Sequence, residues 1–468
     1  MMDNVHDVLV VGGGLTGLTA ALVLRHHGCS VTVVERRTAT SPQPKARRFH
    51  VRTMEVFREL GLAGRVHEAA RELAGHDHMA KGRTLADAEQ LPLWQPSGDV
   101  DPVEVSPELP CLIAQDALEP VLRAAAVDAG ADVRFGTALT TFEQTGDEVV
   151  AHTSDGELRS RYLVAADGAR SGIREALGIP RSGRGAIGDP SVNVYFRADL
   201  GDVVLGREFN LCLLDSGALA SVDGRLRWVF STSGHDTDRD WPAVVRAALG
   251  VPAPDLEILS VLPWQAEMLV ADRYSAGRVH LAGDAAHVMP PFAAMGANTG
   301  IADVHNLGWK LAAVLRGEAA PALLDSYDEE RRPAGWFTAD QSARRAENFS
   351  LTSVDPTLAH PFVLAAGGFQ YRAGALVPDG TTEPVTEFAP AGRVGTRVPH
   401  RWLADGRSTL DLAGPGWAVL SDVDFLAAGE RALLRPDHVV AWRGAGDPEP
   451  VRKALLGGRS TSVVAVSG

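Results

Sequence analysis

The chain has 468 residues, room for about three average domains or one composite enzyme, and too many for a small stapled scaffold. Its 45 basic and 59 acidic residues leave a net charge of −14, which argues against the broad basic face that nucleic acid or an anionic membrane would need. With 45% hydrophobic and 22% charged residues the composition is globular, and a sizeable core is expected.

The three cysteines, Cys29, Cys111 and Cys212, are odd in number and widely spaced. They offer no disulfide framework and no metal-ligand pairing, as in a reducing, cytoplasmic compartment. Met1-Met2-Asp3-Asn4 has no basic leader region, and no apolar run approaches the length of a membrane span. Neither a metal, a nucleic acid nor a membrane is expected as a partner.

The first element is the apolar run Val8-Leu9-Val10-Val11, of the type buried on both faces of a parallel sheet. Gly12-Gly13-Gly14-Leu15-Thr16-Gly17 follows and opens a helix through Leu18, Ala21, Leu22 and Arg25, with Gly28 placed to end it. A second run, Val31–Val34, closes on Glu35, eighteen residues beyond Gly17. This βαβ context gives the glycines mechanical roles. Gly12, Gly14 and Gly17 serve the tight turn, the approach of a pyrophosphate and close helix–strand packing, Leu15 and Thr16 open the helix N-terminus, and Glu35 can accept ribose hydroxyls. Gly183–Gly188 matches the same spacing but opens no helix, and it reads as a loop. Between residues 36 and 54 lie Arg36, Arg37, Lys45, Arg47, Arg48 and Arg52 with no acid among them. One or two of these suit a pyrophosphate, and the rest suit a solvated face.

Further along, a helix is expected over 115–129 and strands near 133–135, 148–153 and 162–166, the last running into Asp167-Gly168. Residues 183–266 read as an inserted antiparallel sheet. From Gly277 the α/β pattern returns and brings Asp284 to a strand C-terminus, where doubly wound folds contact ligands. A long helix begins near Asn298, with Asn298 as both cap and ligand contact, and ends at Gly317. Residues 351–400 read as loops and linker, and a small tail from 385 carries short strands near 417–420 and 439–442.

Three motifs in order, Gly12–Gly17 with Glu35, Asp167-Gly168 before Ala169-Arg170-Ser171, and Gly283-Asp284-Ala285-Ala286-His287, resemble those of the single-component FAD-dependent aromatic hydroxylases, the p-hydroxybenzoate hydroxylase-like family. The resemblance covers most of residues 5–345. The stretch from Gly296 through Lys310 is similar to the branch acting on aromatic polyketides such as anthracyclines. It implies an α/β fold: a Rossmann-like FAD-binding domain in two parts (1–182 and 267–384), an inserted antiparallel-sheet substrate domain (183–266) and a shortened thioredoxin-like C-terminal appendage (385–468). No cysteine lies beyond Cys212, so that appendage is expected to serve packing or homodimer formation rather than thiol chemistry.

By position, the resemblance assigns Glu35 to the adenosine ribose, and Lys45, with Arg36 beside the motif, to the pyrophosphate region. Gln115 and Asp284 fall to the flavin side chain, Asp167 to the pyrophosphate, Pro291 to the isoalloxazine and the backbone of Gly296, Ala297 and Asn298 to its pyrimidine end. His287 is expected to pack or hydrogen-bond and not to act as a base. Where the family usually has Gly-Gly this chain has Ala293-Ala294.

The chemistry implied is reduction of FAD by NADPH or NADH, addition of O2 at flavin C4a and delivery of oxygen from that hydroperoxide to a polycyclic aromatic substrate. The protein's part is orientation and water exclusion, so no catalytic side chain is singled out. Arg207, Trp228, Trp264, Met268 and Phe292 are candidates for the substrate pocket, and Arg372 matches a pocket arginine of the anthracycline hydroxylases. Baeyer–Villiger or ring-cleaving oxygenation on the same scaffold, and a non-catalytic flavin-binding partner, are the alternatives.

Overall fold

The computed structural model describes residues 5–92, 101–253, 255–347, 358–367, 369–381, 383 and 385–457. Met1–Asn4 and the linker positions 351–357, 368, 382 and 384 lie outside them. Strand His6–Val11 stands at the centre of a parallel sheet, between Val31–Glu35 and Gly156–Ala165. Asp132–Phe135 and Val279–Leu281 extend the parallel set on either side. Val8, Leu9 and Val10 are at most 1% exposed, because helices cover the sheet and leave no polar face for the alternation of a half-exposed strand. Helix Leu15–His26 ends as expected at Gly28, with φ 84°.

The long helix, Met295–Leu315, packs on Leu15–His26 and starts earlier than the sequence suggests. Its cap position is Ala294, so Asn298 sits inside the first turn and its side chain is free for another task.

The second sheet is dominated by two long strands, Arg181–Arg197 and Glu257–Ala271, paired antiparallel. Gly183–Gly188 is therefore strand and not loop. Register shifts between Gly183 and Gly185 and between Ile187 and Ser191 accommodate the turn-forming residues as bulges. Both strands cross the expected limits at 183 and 266. The sheet also recruits Met79–Lys81 and Glu89–Gln90 from the first segment, Met79–Lys81 pairing parallel with Leu211–Leu214.

The tail forms a three-stranded antiparallel sheet, Ala418–Ser421, Arg431–Leu434 and Val440–Gly444, followed by helix Glu449–Leu456. Buried charges dock it on helices Met295–Leu315 and Asp325–Glu347. Arg435 donates from both terminal nitrogens to Glu330 at 2.8 Å, and Lys310 Nζ reaches the same carboxylate at 2.9 Å. Arg52 donates to Nδ1 of His438 (2.8 Å) and of His305 (3.3 Å), whose Nε2 atoms face Glu59 at 3.1 and 2.8 Å. The ligand atoms of Glu59, His305 and His438 lie within 4.8 Å of one another, as a metal would require. Arg52 has donors only, however, so each Nδ1 must accept and each ring carries its proton on Nε2; that of His305 donates to Glu59, while Nε2 of His438 lies near the same carboxylate without a hydrogen bond. Among the described residues no helix is long and apolar enough to cross a membrane.

Candidate active site

A cavity of about 3450 Å³ runs from the glycine turn to the face of the antiparallel sheet. At its first end the chain is compressed. A Cβ on Gly12, whose φ is 111°, would lie 2.1 Å from Ala166 O, and one on Gly17 would lie 1.8 Å from Gly12 O. Only glycine allows this approach. Helix Leu15–His26 begins on an extended Gly14 with no side-chain cap and no acid in its first turn, so its free N–H groups and positive end face the cavity. Glu35 accepts from Gly13 N at 2.7 Å and from Arg37 N at 2.9 Å, which fixes its carboxylate beside the turn.

Lys45 borders the same space, and Gln115 accepts from Ala46 N at 3.3 Å while donating to Glu119 at 2.7 Å. Asp167 Oδ2 accepts from Ile173 N at 3.3 Å, whereas its Oδ1 is buried without a partner. Burial pushes the Asp167 carboxyl up. The same effect raises Asp284, against the pull of His287 and Lys45. The bare helix end, the glycine cradle and the orphaned Asp167 oxygen fit a dinucleotide that brings hydroxyls and a pyrophosphate.

Asp303 supports this end from behind. It accepts from Gly283 N (3.0 Å), His287 Nε2 (2.7 Å) and Arg331 Nε (2.8 Å), and so holds the turn that presents Asp284. His287 is fully buried and donates to Asp303 from Nε2, while its Nδ1 is buried without a partner.

Beside Pro291 the backbone is strained. Ala293 and Ala294 adopt left-handed φ values of 63° and 55°, which costs roughly 1–2 kcal/mol per residue for an L-residue with a Cβ. Both carbonyls are held: Ala293 O accepts from His50 Nε2 at 2.7 Å, and Ala294 O from Asn298 Nδ2 at 2.6 Å. At the far end, Trp264 Nε1 (2.8 Å) and Ser231 Oγ (2.7 Å) both donate to Asn193 Oδ1 on the sheet face.

The expected cofactor residues from Gly12 to Ala297 border this cavity, apart from Gly17, which backs the turn, and Asn298, whose side chain points behind the loop. Of the expected substrate-pocket residues, Trp264 and Phe292 line it. Trp228 and Met268 do not: Trp228 alternates with cavity-lining Val229 and Ser231 and so faces the core behind the sheet, and Met268 is fully buried in the core around the parallel sheet. Arg207 spends its guanidinium on the carbonyls of Val203 (2.8 Å) and Ala88 (2.7 Å), and Arg372 is exposed outside the cavity. Glu119, His50, Asn193 and Asp303 carry the site without having been singled out for these tasks. Asp303 stands three positions past Gly300 in the helix, the interval that turns it toward Gly283.

The FAD binding domain family matches residues 5–342. The chain is 39% identical to tetracenomycin B2 monooxygenase-dioxygenase of Streptomyces olivaceus over 97% of this chain and 99% of that protein. It is 38% identical to aklavinone 12-hydroxylase of Streptomyces peucetius over 89% and 91%. The structure is similar to that of aklavinone-11 hydroxylase in a ternary complex with FAD and aklavinone, with a TM-score of 0.85 and 31% identity over 97% of this chain and 100% of that one.

Proposed function

The chain belongs to the FAD binding domain family and is an FAD-dependent monooxygenase, and on that premise we propose that it hydroxylates a polycyclic aromatic, polyketide-type substrate in secondary metabolism, with NADPH or NADH as reductant and O2 as oxygen source. FAD, when bound, would supply the redox chemistry by which one atom of O2 is transferred to the aromatic ring and the other becomes water, with the nicotinamide as electron source.

The chain's own residues bind and orient. The helix N-terminus and Lys45 offset the pyrophosphate charge, with Arg36 and Asp167 nearby. Glu35 would hold the ribose hydroxyls of the adenosine, Gln115 and Asp284 would hold the flavin side chain, and the backbone of Gly296 and Ala297 would meet the pyrimidine end beside Pro291. Trp264 and Phe292 border the aromatic substrate and keep water from the reacting atoms. Three buried, unpaired cysteines support a cytoplasmic setting.

The observation that carries this reading is the single cavity that joins a dinucleotide cradle to an aromatic-lined sheet face, several times larger than the roughly 300–1,000 Å³ of a one-ligand pocket. Purified FAD-loaded protein is mixed with NADPH, oxygen and a panel of polycyclic phenols. Substrate-stimulated NADPH oxidation with a product heavier by one oxygen atom is expected. Oxidation indifferent to every compound would overturn the assignment.

A further inference from the structure

The two left-handed alanines do not stand alone. His50 and Asn298 hold them through hydrogen bonds, and Asn298 is tied in turn to the end of the basic stretch. Asn298 Oδ1 accepts from His50 N at 2.9 Å and from Thr53 Oγ1 at 2.7 Å, while its Nδ2 donates to Arg48 O at 3.1 Å as well as to Ala294 O. The His50 ring completes the clamp at Ala293 O. Because a carbonyl can only accept, the His50 proton sits on Nε2. Burial holds this imidazole down to about 4, so it stays neutral near pH 7.

We propose that His50 is a positioning residue for the oxygenation reaction: with Asn298 it clamps the Ala293-Ala294 turn in its left-handed form and thereby sets the cavity wall against which the isoalloxazine lies. The proposal rests on the flavin reading above. Glycine would hold this turn without strain, whereas the alanines hold it because two side-chain donors compensate. The clamp thus substitutes for the glycine pair usual in the family.

The test is a cycle in the full-length protein, read with and without FAD. His50→Leu is expected to weaken FAD binding about tenfold, to change the visible circular dichroism of bound flavin and to lower the Tm of the FAD-free chain by about 2 °C. His50→Gln keeps a donor and is expected to stay within about twofold of the parent. Adding Ala293→Gly and Ala294→Gly to His50→Leu is expected to recover most of each loss, because the strain that needed the clamp is gone. Unchanged flavin affinity and dichroism in His50→Leu, or no recovery from the glycines, would overturn the proposal. If the parent protein binds no FAD, the flavin reading fails, and the Tm cycle still decides whether the clamp exists.

Discussion

Arg397 and Glu55, 342 positions apart, meet as a buried ion pair between the tail and helix Val51–Glu59: Arg397 Nε donates to Glu55 Oε2 at 2.8 Å, and Nη2 donates to Oε1. Arg397→Met takes the main partner from a buried carboxylate and leaves it only Arg52 (3.1 Å) and Ser106 (2.7 Å), and a loss of about 3 kcal/mol in urea unfolding is expected. Replacing both partners, Arg397→Met with Glu55→Leu, should cost clearly less, because no buried carboxylate is then short of a partner and Arg52 keeps the carbonyl of Asp437 at 2.7 Å. Equal losses in the single and double variants would mean that the pair does not act as a unit.

Stability should fall on acidification in two stages. Burial holds His27, His50 and His280 down to about 4, below the ordinary 6.5. The unfolded chain therefore binds more protons between these values, and stability is lost as pH drops from 6.5 toward 4. Burial alone would push Glu55 up, but the charge and hydrogen bonds of Arg397 overcome it and hold the carboxyl at about 2. That contribution is complete above 4.5 and is lost as pH falls toward 2. Urea midpoints measured from pH 7.5 to 3 check this, and a flat profile between 6.5 and 5 would contradict the first stage.

Two tryptophans of one sheet should respond in opposite ways. Trp264 borders the cavity, so Trp264→Ala is expected to raise KM for the aromatic substrate about tenfold with a small change in Tm. Trp228 lies in the core with no exposed surface, and Trp228→Ala should cost about 3–5 kcal/mol of stability. Exchange of these phenotypes would reverse the assignment of the sheet's faces.

Asp284→Ala should weaken FAD binding about tenfold or more, since a carboxylate-assisted hydrogen bond contributes roughly 1.5–3 kcal/mol. Asp303→Asn is expected to act in the same direction through the displaced turn. Titration of the FAD-free protein with FAD, followed by flavin fluorescence, measures both. An unchanged Kd in Asp284→Ala would remove it from the site.

The glycine turn, its helix and Glu35 were legible in the sequence because their geometry is local: each residue acts within one βαβ unit. Asp284 was legible for the same reason, at the end of an apolar strand. Trp228 and Trp264 could not be sorted, because bulges reset the two-residue alternation between them and a face assignment cannot be carried across an unseen bulge. Ala293 and Ala294 give no composition signal for a left-handed turn; the signal lies in His50 and Asn298, one of them more than two hundred residues away. Asp303 stood inside a quoted motif, yet its task depends on Gly283, His287 and Arg331, which only the folded chain brings around it.

The recruitment of residues 79–90 into the antiparallel sheet bears on how such enzymes can diversify. Leu211–Leu214 is flanked by Met79–Lys81, so a segment cut at 181 and 271 would leave with an open strand edge and abandon a hairpin in the donor. The antiparallel sheet is consequently not a modular cassette. Chimeras that exchange specificity must carry both segments together, and a nascent chain cannot complete that sheet until its early hairpin and its late strands have both left the ribosome.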